Sequence, residues 1–177
     1  MDPITSFDDA SAEALLLDNL YEDTVRFQLA SYPWRFAMKQ VQLSRSVSTP
    51  LEGNKGIYTI PGDALVVRSV SVNGVERDFD RYDDVLYVDA SADEVVIGDY
   101  TYRALVSKWP SYFVLPVIHL LAAELGSGVA HDGQLFDLMM AKAESYMRRA
   151  QTRESQDRTA QKVSTSRFFQ ARSGSRF

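Results

Sequence analysis

The segment from Asp18 to Leu43 constrains the fold more than any other, because its character changes at a single proline. Before Pro33 the apolar residues recur at the three-and-four spacing of a helix. The proline ends this helix, because the residue before a proline is pushed out of the helical region. The pattern predicts a helix over about residues 10–32 that is covered on more than one side. Its predicted apolar positions are Leu17, Leu20, Tyr21, Thr24 and Phe27 on one face, widened by Val25, Leu29 and Tyr32.

Two large aromatic residues, Trp34 and Phe36, follow the proline directly. In an extended chain, residues two apart point to the same face. Because large aromatic side chains contribute much of a protein core, we predict that both rings form a structural anchor beneath the end of the helix. Met38 to Leu43 then has the mixed polar and apolar character of a strand.

The hydrophobic period changes to two after Ile57, which predicts β-structure over about residues 57–106. Within it, Asn73-Gly74 is a strong hairpin signal, because a type I′ turn needs two positive φ angles. The acidic run from Asp78 to Asp84 predicts an exposed hairpin tip. It lacks the alternating ligands and the glycine of a calcium loop. We therefore expect one small antiparallel sheet inserted between helical segments.

Two more helices are predicted after the sheet, over about residues 111–125 and 132–160. The stretch from Val117 to Ala123 is apolar nearly all round, which is typical of a helix buried in a bundle or between subunits. His119 lies in this stretch and is predicted to be a hydrogen-bonded core residue. The fold class is therefore α+β: a helical bundle with an inserted small antiparallel β-domain and an extended C-terminal arm.

The charges are distributed unevenly, and this sets the predicted domain organisation. The net charge is −5. Residues 1–147 carry 11 Lys+Arg against 22 Asp+Glu, whereas residues 148–177 carry 8 against 2. We predict one domain over residues 1–161 and an extended tail over residues 162–177. An acidic body with a basic tail indicates a tail that meets an acidic partner, or folds back on its own body or a neighbouring copy.

The tail itself combines arginines with three phenylalanines. It could bind nucleic acid, with Arg on phosphates and Phe stacked on bases. It could be an inert solubilising end, or a peptide arm with phenylalanines in apolar pockets and arginines beside carboxylates. The acidic body disfavours a dedicated DNA binder, because long-range repulsion opposes approach.

Enzymatic, metal-binding and membrane classes find no support in the sequence. The chain has no cysteine and only two histidines, His119 and His131, so no metal-ligand spacing is present. No nucleophile elbow, phosphate loop or dinucleotide fingerprint occurs. No apolar run approaches the length of a transmembrane helix. We therefore expect no enzyme activity, no cofactor, no metal and no membrane association.

Several short motifs, taken in order, point to a family. They are Pro33-Trp34-Arg35-Phe36-Ala37, Ile60-Pro61-Gly62-Asp63-Ala64-Leu65 leading into Val66–Val70, Tyr100-Thr101-Tyr102-Arg103, Trp109-Pro110, and the paired helices Val114–Leu125 and Leu135–Gln151. In this order and spacing the chain resembles the head-to-tail adaptor family of short-tailed phages, also called tail tubular protein A or head-completion proteins. The Leu-Pro-x-Asp turn usual in that family reads Ile-Pro-Gly-Asp here.

The resemblance implies a structural virion protein at the head-tail junction. In that family twelve copies form a ring below the portal protein. The ring extends the channel through which double-stranded DNA passes without sequence-specific binding, and it receives the tail nozzle. Such a protein is made in the host cytoplasm, and its C-terminal segment docks onto the portal. By this resemblance the docking residues are Arg167, Phe168, Phe169, Arg172, Arg176 and Phe177. The alternative is a DNA-binding or regulatory protein that uses its basic tail.

Overall fold

The computed structural model describes residues 12–48, 56–128 and 133–156, and within them the chain is a mixed α+β fold. One long helix precedes the strands and two follow them. The helices are α1 Ala12–Ser31, α2 Ser111–Gly128 and α3 Gly133–Gln156. The strands are β1 Met38–Gln42, β2 Gly56–Thr59, β3 Ala64–Val72, β4 Val75–Arg77, β5 Phe79–Tyr82, β6 Val85–Val88 and β7 Val96–Tyr102.

The strands form two antiparallel sheets, not the single sheet that the sequence predicted. The first has the order β1-β7-β3-β4 and the second the order β2-β6-β5. β1 lies outside the predicted insertion of residues 57–106, yet it pairs along its whole length with β7. The β-structure therefore begins directly after the first helix.

A hydrophobic core fills the space between the two sheets. Side chains of both sheets and of the adjoining loops form this core. Its buried members are Leu43, Tyr58, Ile60, Val70, Val72, Leu86, Val88, Ala90 and Val96. Because each sheet contributes one apolar face to this core, the two sheets stabilise each other as layers of one unit.

A second core joins the helices to the other side of the first sheet. α2 packs along α3 and against α1. Leu65 of β3 and Tyr102 of β7 pack against this core from the sheet. Its buried members are Val25, Leu29, Trp34, Ala37, Ala104, Phe113, Val117 and Ala150. The three helices are thus held over one sheet by a continuous apolar contact.

The Asn73-Gly74 hairpin is confirmed, with φ angles of 49° and 79° between β3 and β4. The predicted acidic hairpin tip is confirmed in part. Asp80 lies within β5, and only Asp83 and Asp84 occupy the turn before β6. Asp78 precedes β5, and all four aspartates of the run are exposed.

The helices begin close to the predicted residues, although their exposed faces differ. α2 continues through Pro116, which is buried in its second turn. Phe27 was predicted on the covered face of α1, but 69% of it is exposed, while Val25 and Leu29 are fully buried. The predicted end of the third helix at residue 160 lies outside the described residues. Along the part of the chain that the structure describes, no helix is both long and apolar enough to cross a membrane.

Candidate functional site

The aromatic anchor after α1 lies at the centre of the helical core. Trp34 is completely buried, and its Nε1 donates a hydrogen bond to the backbone carbonyl of Gln28 at 2.9 Å. The rings of Trp34 and Phe36 pack on Phe113 of α2, with centroids 5.1 and 5.0 Å away. The predicted extended backbone is wrong here, because residues 35–37 form a 3₁₀ turn. That turn still presents both rings to the same partner.

A buried carboxylate fixes the last turn of α3 to this anchor. Glu154 is only 1% exposed. Its Oε1 accepts a hydrogen bond from the backbone N–H of Arg35, and its Oε2 accepts one from the hydroxyl of Tyr112, both at 2.6 Å. Charge-assisted hydrogen bonds of this length are among the stronger ones in proteins. The residue therefore fixes the place from which the chain continues toward its C-terminus.

Two arginines fasten α1 to the first sheet. A register shift between Val67 and Ser69 brings Arg68 toward the end of α1, where it donates to the carbonyl of Ala30 at 2.6 Å. Bulges of this kind commonly re-aim a side chain. Arg103 donates to both carboxylate oxygens of Glu22 at 3.0–3.1 Å. The hydrogen bond from Arg103 holds the pKa of Glu22 below its ordinary value of 4.5.

A polar group on the first sheet connects β1, β7 and the turn before β3. Lys39 contacts Asp63 at 2.6 Å, and the hydroxyl of Tyr100 donates to the same carboxylate at 3.0 Å. The Lys39 hydrogen bond lowers the pKa of Asp63, and burial raises the pKa of Tyr100. Both Lys39 and Asp63 are nearly half exposed. The group has the character of a solvated ion pair that orders the sheet surface.

A shallow groove of about 300 Å³ runs between α1 and α3 over α2. We call it the helical groove. Apolar and sulfur-containing side chains make up most of its surface, and the exposed ring of Phe27 forms one wall. Its lining residues are Phe27, Gln28, Leu120, Met140, Ala143, Glu144, Met147, Arg148 and Gln151. Methionine-rich grooves adapt to apolar ligands, because the thioether side chain is flexible and polarisable.

Further apolar side chains on α2 and α3 are exposed to solvent. Leu115 and Ile118 lie three residues apart on one face of α2, and Leu138 lies on α3; each is about half exposed. We call these three residues the exposed apolar set. His119, next to Ile118, is half-buried and stacks on Tyr146 at 5.1 Å, so the prediction of a core histidine is wrong. Contiguous exposed apolar surface marks sites that bind other proteins, and Leu115 and Ile118 supply such surface on α2.

Two features of the described residues bear on metal binding and nucleophilic chemistry. Among them, no group of three or more acidic or histidine side chains is placed to hold a metal ion. The larger open pocket, about 580 Å³, is lined by Arg68, Ser69, Phe79 and a charged edge of Glu76, Arg77 and Asp78. The nearest base to Ser69 is Asp99, whose carboxylate accepts the Ser69 hydroxyl at 3.1 Å and also the side-chain amide of Gln40. In this part of the chain, no histidine completes a nucleophilic triad there.

Some of the predicted site residues lie within the described part of the chain, and the others lie outside it. Trp34 and Phe36 lie in the helical core, as described above. The six predicted docking residues of the tail and His131 lie outside the described residues. Glu154 and the helical groove were not predicted. The sequence signal for Glu154 is its position one turn after Ala150, and the signal for the groove is a set of methionines at helical spacing. Both patterns are also common on solvated helices.

Comparison with known proteins does not assign the chain to a family. No protein-family model matches the chain, and no curated protein sequence matches it. The resemblance to phage adaptors, carried by short motifs such as Pro33–Ala37 and Ile60–Leu65, therefore stays a prediction. Binding measurements are the direct test of it.

Proposed function

We propose that this chain is a non-enzymatic adaptor subunit of a phage head-to-tail junction. The observation that carries the proposal is apolar surface on the helices: Phe27 and the exposed apolar set leave large side chains in water. Assembly into a ring buries such surface, because removing apolar area from water stabilises association. The order of the sequence motifs, which resembles that of phage head-to-tail adaptors, is the reason for proposing this particular ring.

In this proposal the three helices form a bundle that carries the β-sheets, and the C-terminal segment is an extended arm. The arm docks onto the portal protein through Arg167, Phe168, Phe169, Arg172, Arg176 and Phe177. Phenylalanines in apolar pockets and arginines beside carboxylates are the usual anchors of such interfaces. Glu154 supports the arm, because it fixes the end of α3 from which the arm departs.

The proposed ring has about twelve copies, by analogy with the family, and lies at the capsid vertex of the virion. It extends the DNA channel and forms the platform for the tail nozzle, so that the genome passes through during ejection. An acidic body suits this passage, because like charges keep DNA sliding instead of binding. Asp83 and Asp84 in the β5–β6 turn are exposed and available to face such a channel.

Co-sedimentation with a purified portal ring tests this function. We expect the full-length chain to sediment with the ring and a chain ending at Val163 to stay in the supernatant. A full-length variant with Ser164→Ala and Ser166→Ala is the matched control, because it changes the tail without touching its arginines or phenylalanines. If the full-length chain does not sediment with the portal, the adaptor function is wrong.

The basic C-terminal segment favours a second candidate, a DNA-binding or regulatory protein. Residues 148–177 carry a net charge of +6, which is enough to attract phosphates. The remaining chain carries −11 and opposes this attraction. The two candidates differ in how DNA binding should depend on salt concentration.

A further inference from the structure

The helical groove is an apolar surface for which the described residues provide no cover. Its floor is Leu120 of α2, and its sides are Phe27 of α1 and Met140 and Met147 of α3. Phe27 is 69% exposed although it lies in the middle of a helix. Burying such a ring is favourable in free energy, because it removes apolar area from water. A ligand with aromatic side chains would recover this free energy.

Acidic side chains border the groove. Glu144 lines it directly, and its side chain is 63% exposed. Asp137 lies three residues before Met140 on the same face of α3, and Asp23 lies four residues before Phe27 on α1. Residues at these spacings are neighbours on a helix surface. Among the lining residues the charged ones are Glu144 and Arg148, which contact each other at 3.6 Å. The acidic character beside the apolar floor therefore comes from Asp137 and Asp23 on the neighbouring turns.

We propose that the C-terminal segment of the same chain, residues 162–177, occupies the helical groove before the protein assembles. Phe168 and Phe169 lie on the apolar floor, and the flanking Arg167 and Arg172 pair with the acidic border. The segment matches the groove in both respects, because it is basic and aromatic where the groove is acidic and apolar. No other part of the sequence places adjacent phenylalanines between arginines.

The length of the chain permits this contact within one molecule. α3 is described to Gln156, and Met140 lies 16 residues earlier, a distance of about 24 Å along the helix. Phe168 follows Gln156 by 12 residues, which span about 40 Å when extended. The segment therefore reaches the groove with residues to spare for a reversal. A short tether also gives an effective concentration of about 1 mM, which favours the same molecule over a neighbour.

The proposed contact between tail and groove competes with the binding of the tail to any other protein. Phe168 and Phe169 cannot occupy the groove and a second protein at the same time. Binding of a partner therefore has to displace them, which weakens premature association of single subunits. The proposed contact is made within the isolated monomer, so it can be tested without the proposed function.

Methionine methyl resonances give a direct measurement. The chain has five methionines: Met1, Met38, Met139, Met140 and Met147. We would label their methyl groups with ¹³C and compare the full-length chain with one ending at Gln161 by NMR at low concentration. The Met140 and Met147 resonances are assigned by replacing each residue with leucine. We expect both resonances to shift on truncation, because they lose the ring currents of the phenylalanines, while Met38 on β1 stays unchanged and shows that the fold is intact.

Point variants separate the groove contact from a general effect of the tail. Full-length Phe168→Ser/Phe169→Ser should reproduce the resonances of the truncated chain, whereas the matched Phe177→Ser should keep those of the full-length chain. Unchanged Met140 and Met147 resonances on truncation would overturn the proposal. So would shifts that grow with protein concentration together with the sedimenting mass, because the occupant would then be the tail of a neighbouring copy. Neither outcome depends on a portal.

Discussion

At the residue scale, Glu154 shows how one buried carboxylate joins three parts of the chain. Its two oxygens receive hydrogen bonds from the turn after α1 and from α2, while its backbone belongs to α3. Glu154→Ala removes both acceptors and leaves a cavity. We expect the free energy of unfolding to fall by about 2–3 kcal/mol, measured by denaturation with the fluorescence of Trp34 and Trp109 as the probe.

Glu144→Ala is the matched control for this substitution, because it lies on the same helix with an exposed side chain and a long 3.6 Å ion pair to Arg148. It should change stability by less than about 0.5 kcal/mol. Glu154→Gln retains one amide oxygen and should fall between the two. Equal stabilities of Glu154→Ala and Glu144→Ala would contradict the structural role of Glu154.

The sequence did not predict this residue, and the physical reason is the position of its partners. Glu154 lies in a polar stretch, Gln151 to Gln156, that is typical of a solvated helix. Its burial depends on Arg35 and Tyr112, which lie 119 and 42 residues away in the chain. Phe27 is the converse case. Helical spacing places it beside other apolar residues, but the partner helix covers the face of Val25 and Leu29 instead.

At the element scale, the β3–β4 turn gives a prediction with an internal control. Gly74 has a φ angle of 79°, and Gly62, in the turn before β3, has no left-handed backbone. A Cβ added at either glycine meets no atom within 4 Å. Gly74→Ala should therefore destabilise the fold by about 1–2 kcal/mol through backbone strain alone. Gly62→Ala should leave stability unchanged or raise it slightly, because it restricts the unfolded chain.

Thermal unfolding followed by circular dichroism compares the two variants. A lower Tm for Gly74→Ala than for Gly62→Ala is the expected result. The same Tm for both would show that the turn relaxes without cost and that the positive φ angle does not matter to the fold.

Local sequence signals predicted the positions of the helices and strands better than they predicted which strands pair. The turn residues Asn73 and Gly74, Pro33 at the end of α1, and the helical periods of α2 and α3 each act within a few residues. Strand pairing acts over long separations: Gln40 of β1 lies opposite Asp99 of β7, 59 residues away. Alternation indicates a strand but does not name its neighbour. This is why the sequence predicted one sheet where the structure has two.

At the scale of the whole molecule, the charge distribution gives a prediction on which the two candidate functions differ. Residues 1–147 carry −11 and residues 148–177 carry +6. If the tail lies in the helical groove, its positive charge is held against the acidic body and is less available to phosphates. The whole molecule then presents a net negative field to DNA, which fits the proposed adaptor function better than the DNA-binding alternative.

We therefore expect the full-length chain not to bind duplex DNA at about 150 mM salt, where charges on the surface are screened beyond about 8 Å. Fluorescence anisotropy of a labelled duplex, titrated with protein at several salt concentrations, measures this. A peptide of residues 157–177 is the control. Freed from the acidic body, it should bind at low salt, and its affinity should fall steeply as salt rises, because each phosphate contact releases a counterion. Strong binding by the full-length chain with the same steep salt dependence would favour the DNA-binding function, since the body would then fail to oppose the tail.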